Sequence, residues 1–143
     1  MMSILVTDTG FGPDDWTAPI LPLDQVAADG ALPNEAVAVD LPNDRDPGLL
    51  APWLDRIALI RVVFPAMGDG RGFSIARQLR ALGYRGRLRA AGPLIPDQAR
   101  AARRVGFDEI ELPEQVAARQ PESLWMARPA AGYRDHVLAR TGN

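Results

Sequence analysis

Apolar positions along the chain follow two rhythms, short continuous runs and stretches of helical period. Ile4-Leu5-Val6 is a run of the first kind, closed by the turn signal Asp8-Thr9-Gly10-Phe11-Gly12-Pro13. Residues 13–35 carry four prolines and little periodicity, which predicts an irregular arm with at most one helical turn near residues 23–28. Residues 36–41 (Ala-Val-Ala-Val-Asp-Leu) predict a strand. After the acidic loop Pro42-Asn43-Asp44-Arg45-Asp46, Asp46 is placed to cap a helix with Pro47 at its first position. Pro52 then predicts a short turn and a restart carrying Trp53, Leu54 and Ile57. Residues 58–64 are nearly all apolar, as in a strand covered on both faces. Ser74 to Leu82 has helical period, with Ile75, Leu79 and Leu82 on one face, Arg77, Gln78 and Arg80 elsewhere, and Gly83 as the stop. A strand follows at residues 88–91. The next helix opens at Pro96, turns Ala99, Ala102 and Val105 inward and Arg100, Arg103 and Arg104 outward, and stops at Gly106. Residues 110–112 predict a further strand, and Pro113 opens a last helix to Arg119.

Strands alternating with helices of about ten residues predict one α/β domain whose sheet is mostly parallel, with four or five strands and right-handed crossovers. Its parts would be an irregular N-terminal arm with an edge strand, antiparallel to the rest (residues 1–35), a βα core (36–120) and a C-terminal tail (121–143). A flavodoxin-like open sheet and a segment resembling part of a (βα) barrel both fit this pattern.

Composition excludes several functions. The 143 residues contain no Cys, so disulfides, thiolate metal sites and thiol nucleophiles are out, and one His (His136) supplies no multi-histidine metal site. No apolar run approaches the ~20 residues of a membrane span. The start lacks a basic leader and a small-residue cleavage site, so a cytoplasmic protein without membrane attachment is expected. All 16 basic residues are Arg, beside 22 Ala and 13 Pro, the mark of GC-rich codon usage. Residues 1–60 carry net charge −8 and residues 61–143 net +6, which suggests that the acidic part folds against the basic part or shields its ligand edge. A pI near 5.3 and the lack of interleaved aromatics argue against nucleic-acid binding.

In parallel α/β sheets ligands sit beyond the carboxyl ends of strands. There the loop Met67-Gly68-Asp69-Gly70-Arg71-Gly72-Phe73-Ser74 combines three glycines in five positions with a helix N-terminus, which favours an anion, and Arg71 offers a bidentate grip on an oxyanion. The other reading of these residues is a tight βα turn in which Ser74 caps the helix and Asp69 pairs with Arg71. The loop is no dinucleotide fingerprint, because Ile75 stands where the third glycine belongs, and a chain without Lys holds no Walker lysine. Asp97 and Gln98, at the start of the next helix, and Arg89, inside a strand, are further candidates. For each the plainer alternative is a structural role. Asp40, Asp44 and Asp46 have the chemistry for a hard cation, or for an acidic loop with a cap.

The run Phe64-Pro65-Ala66-Met67-Gly68-Asp69-Gly70-Arg71-Gly72-Phe73-Ser74, with Ala76-Arg77, Leu79-Arg80, Gly83-Tyr84, Gly86, Leu88-Arg89-Ala90, Gly92, Asp97-Gln98 and Gly106-Phe107-Asp108, resembles the bacterial domain-of-unknown-function family numbered 934. The likeness covers residues 57 to about 112, with a looser match at residues 41–44. Phe73 departs from the family's usual tyrosine, Arg87 from a commonly acidic position and Ala91 from valine, and the tail beyond Glu122 is unlike the usual ending. Members are often labelled probable oxidoreductases involved in sulfite reduction, and their genes commonly stand beside those of sulfate assimilation. The resemblance therefore implies an accessory protein of sulfite reduction, with sulfite reductase or another sulfate-assimilation enzyme as partner. The residues assign no cofactor, since flavin and nicotinamide fingerprints and a haem-ligand pair are lacking.

Three functions follow as expectations. The first is an accessory protein that binds a small oxyanion or the reductase through Asp69, Gly70, Arg71, Gly72, Ser74, Arg89, Asp97 and Gln98. The second is a small enzyme with Asp69 or Asp97 as general acid/base and Arg71 as anion clamp. The third is an interaction module using the arginine face at residues 100–104 and Trp125.

Overall fold

The two rhythms fold into one α/β domain, of which the computed structural model describes residues 3–29, 32, 37–66 and 70–126. Its strands are β1 (Ser3–Thr7), β2 (Gly10–Pro13), β3 (Ile20–Pro22), β4 (Ala38–Pro42), β5 (Leu59–Val63), β6 (Arg87–Ala91) and β7 (Glu109–Pro113). The α-helices are α1 (Leu23–Asp29), α2 (Arg71–Ala81), α3 (Pro96–Val105), α4 (Glu114–Ala117) and α5 (Glu122–Met126), and Pro47–Arg56 forms a 3-10 helix. All seven strands join one sheet in the order β2-β1-β7-β6-β5-β4-β3. Strands β3 to β7 are parallel, while β1 runs antiparallel to both β7 and β2.

The sheet is thus larger than the four or five strands expected, and mixed. The difference lies in the arm, which supplies three strands and a seven-residue helix. Two of its prolines stand at strand ends, with Pro13 closing β2 and Pro22 closing β3. These are the two edges of the sheet, where a missing N–H removes little from the ladder. The turn after β1 is only Asp8-Thr9, and Gly10–Pro13, which reads as turn, is strand. Pro52 does not split its helix either. The segment winds as one 3-10 helix from Pro47 to Arg56, whose tighter turn accommodates the proline, and Asp46 caps it by accepting the Gly48 N–H at 2.8 Å.

Strands β3 to β7 are neighbours in chain order, without the reversal of a doubly wound sheet. The flavodoxin-like alternative is therefore set aside. Right-handed crossovers in an unreversed order carry every connecting helix over the same face. Burial agrees: Val39, Leu41, Ile60, Val62 and Leu88 alternate inward and are completely buried with Leu79, Ala99 and Ala102, and Ile75 is buried beside them. The predicted inward positions at the helix ends do worse, since Leu82 is exposed and Val105 only half-buried.

The opposite face carries the other side-chain parity, with Asp40, Arg61, Arg89 and Glu109 in one row across four strands. This face is crossed by the chain itself. Residues 14–19 connect β2 at one edge to β3 at the other. Seven peptide steps reach at most ~25 Å, whereas six strand intervals in a flat sheet span ~29 Å. The sheet is therefore curled beneath its strap. No helix among the described residues is long and apolar enough to cross a membrane.

Candidate functional site

The glycine loop leads from β5 into α2, and its described part is shaped first by Phe64. A Cβ on Gly72 would lie 2.2 Å from the Phe64 ring, and one on Gly92 2.2 Å from the Phe64 carbonyl oxygen. Gly92 also has φ +148°, a conformation open to glycine. Phe64 is thereby held between two glycines, with the rings of Phe73 and Phe107 at 5.4 and 6.0 Å. Gly70 occupies the N-cap position of α2, and no side chain among the described residues caps the helix. Ser74, the expected cap, instead accepts a hydrogen bond from Gln78 Nε2 at 3.2 Å.

Against the first turns of α2 lies the loop of residues 43–46, and between them a cleft of about 430 Å³. Asn43, Asp44 and Arg45 form one wall, Arg71, Ser74 and Gln78 the other. Arg45 is paired with Asp24 at 2.9 Å. Asn43 is only 5% exposed, and its Nδ2 is buried without a hydrogen-bond partner. An amide donor left this way costs about 1–3 kcal/mol.

Of the eight residues proposed from sequence, Gly70, Arg71, Gly72 and Ser74 come together at the start of α2, and Asp69 lies outside the described residues. Asp97 and Gln98 serve α3 locally. Gln98 Oε1 accepts the Ile95 N–H at 3.1 Å, and Asp97 is paired with Arg100. Arg89 stands apart on the strap-covered face of the sheet.

There Arg89 is fully buried. Its Nε donates to Glu109 Oε2 at 2.5 Å, and its Nη1 to Glu111 Oε1 at 2.8 Å and Asp14 Oδ1 at 3.1 Å. Its Nη2 makes no hydrogen bond, the nearest charge being Asp15 at 3.7 Å. Arg61 grips both oxygens of Asp40 at 2.6 and 2.9 Å and reaches both oxygens of Glu111 at 3.2 Å. Arg87 bridges Glu109 and Asp15 and lies 5.8 Å from the Trp16 ring. Burial works against the charge of Arg87 and Arg89, yet the carboxylates outweigh it and raise both pKa values. Arg61 is raised too, foremost by its hydrogen bonds to Asp40. The acidic arm and basic core do meet, through Asp14 and Asp15. Sequence reasoning missed Arg61, Arg87, Glu109 and Glu111, and it offered Asp40 only as part of an acidic group. The available signal was charge at every second position, Arg87-x-Arg89 and Glu109-x-Glu111, inside otherwise apolar strands.

Three arginines predicted to lie off the inward faces of their helices are structural. Arg80 donates from Nε and Nη2 to the Gly106 carbonyl, from Nη1 to those of Tyr84 and Gly86, and from Nη2 to Asp108. Arg103 donates to the carbonyls of Trp125 and Thr7, and Arg100 to that of Leu124, so the arginine face of α3 holds α5. Trp125, expected at a partner surface, is buried against Phe11 at 6.5 Å between ring centres. His136 and the tail after Met126 lie outside the described residues. Of the acidic trio, Asp40 is held by Arg61 and Asp46 caps the 3-10 helix. Among the described residues no group of three or more His, Asp or Glu could hold a metal ion.

Fold and cleft together define a single-domain α/β protein with a polar cleft where a helix N-terminus meets a βα loop. The chain belongs to the bacterial protein family of unknown function DUF934, whose model matches residues 38–141. No curated protein and no solved structure matches it.

Proposed function

We propose that the chain is an accessory protein of sulfite reduction that binds an oxyanion in the cleft between residues 43–46 and α2. The N-terminus of α2, with Gly70 at its cap position and Arg71 in its first turn, carries the reading of the site, and Asn43 lines the opposite wall. Arg71 supplies a cation on the facing wall, and the positive end of the α2 dipole adds to it. The unreversed parallel order supports reading β3 to β7 as a segment of (βα)-barrel winding, in which ligands gather at the carboxyl ends of strands, where this cleft lies. The link to sulfur chemistry rests on the family resemblance, and sulfite reductase is the partner it suggests.

Calorimetric titration of sulfite, sulfate and phosphate into wild type, Arg71→Ala and Asn43→Leu tests the site, with circular dichroism to verify folding. The expected result is binding by wild type and at least tenfold weaker binding by both variants. Failure of all three anions to bind, with no co-purification of the reductase from sulfate-starved cells, overturns the reading.

A further inference from the structure

At the amino ends of β5 and β6, the 3-10 helix and the turn after α2 enclose a groove of about 500 Å³. It lies at the end of the sheet opposite the one where ligands gather. We infer that this groove is a homodimer interface. A two-fold axis seats Leu82 of each copy in the groove of the other and sets Asp55 of each copy opposite Arg85 of the other.

The first ground is apolar exposure. The helical period assigns Leu82 to the inward face of α2, yet it is 48% exposed, more than any other large apolar side chain among the described residues. Leu54, on the wall supplied by the 3-10 helix, is only half-buried. Both walls of the concavity thus hold apolar surface that gains by being covered.

The second ground is charge, and it selects the occupant. Asp55 stands on the wall of the 3-10 helix and Arg85 on the wall that follows α2. Both are exposed, and neither makes a hydrogen bond or ion pair with another described residue. A partner surface of one sign would gain from one of these charges and be repelled by the other. A second copy meets both demands, because a two-fold rotation brings each charge against its opposite across the shared apolar strip.

The third ground is access. Gly83 stands between Leu82 and Arg85 with φ +100°, and a Cβ built there would meet nothing within 4 Å. The rim is therefore bare at the point of contact, and a second backbone can come close. The clefts at the carboxyl ends of the strands then face away from the contact, so pairing leaves both open.

Sedimentation velocity of the full chain over a wide range of concentrations tests the inference, with far-UV circular dichroism to verify folding. The expected result is a species of twice the 15.5 kDa of one chain that dissociates on dilution. Asp55→Arg and Arg85→Glu, each of which sets like charges together twice in the dimer, should weaken association at least tenfold. The double variant Asp55→Arg/Arg85→Glu restores opposite charges and should recover the wild-type affinity. Leu82→Ser should weaken association without a change in fold. A mass of one chain at every concentration overturns the inference, and so does assembly beyond two copies, which an isologous contact does not allow. A dimer indifferent to both charge reversals, or a double variant no tighter than the single ones, overturns it as well.

Discussion

Replacing Arg89 by Met removes a fully buried guanidinium from among four carboxylates. Breaking a buried ion pair from one side costs about 3–5 kcal/mol, because the remaining charge is left without compensation. The contacts around Arg89 set where in that range the loss falls. Glu109 Oε2 keeps Arg87 Nη2 at 2.9 Å, Glu111 Oε1 keeps Arg61 Nη1 at 3.2 Å, and Asp14 Oδ1 keeps the Trp16 N–H at 3.0 Å. No oxygen is stripped bare, so the low end applies, about 3 kcal/mol. In a domain of this size that lowers Tm by about 6–12 °C. Urea denaturation followed by far-UV circular dichroism measures it. The coupling between Arg89→Met and Glu109→Gln, from the double-mutant cycle, should exceed about 1 kcal/mol. A loss below about 1 kcal/mol, or additive single variants, would refute the reasoning that these ion pairs across the sheet face stabilise the fold.

Other substitutions probe other contacts. Gly72→Ala should cost about 1–3 kcal/mol by overpacking against the Phe64 ring, and Phe64→Leu in the same chain should return part of it. Gly92→Ala meets the Phe64 backbone oxygen at a positive φ, so Phe64→Leu should return nothing; equal rescue of both would contradict the packing described. Arg80→Lys should cost about 2 kcal/mol in urea denaturation, since an ammonium cannot span three carbonyls and Asp108. The hydrogen bond from Arg87 holds the Asp15 carboxyl below its ordinary value of 3.8. A carboxyl lowered in the folded state stabilises above its unfolded pKa and ceases to do so as pH falls through the lower folded one. Trp16 fluorescence should therefore stay constant down to about pH 4 and change below it, and Asp15→Asn should remove that step; a wild-type change already at pH 5 would count against the strap's anchoring.

Much of the βα core was legible in the chain because its strands and longer helices each obey one period and are closed by a proline or glycine at or just past the end. Strands β5 to β7 and helices α2 and α3 fall close to where their patterns place them. The arm was not legible. A three-residue strand such as Ile20–Pro22 has no periodicity to detect, and it exists because β4 offers it a parallel partner. The candidate site was half legible: the α2 terminus follows from local glycine and arginine chemistry. That Asn43 faces it depends on where β4 ends beside β5, which is tertiary information. Arg89 was singled out as an isolated strand cation, and its role became clear only once register placed Glu109 and Glu111 beside it.

The pairing of β1 has a consequence for the order of events during synthesis. Ser3 is made before the rest of the sheet, yet its partner Pro113 lies 110 residues downstream. The hairpin of β1 and β2 must wait for β7, and the strap must wait for Arg87 and Arg89 on β6. Strands β3 to β7, by contrast, can be laid down as they appear, each beside the one before. Strand β1, made before the other six, is among the last to find its place.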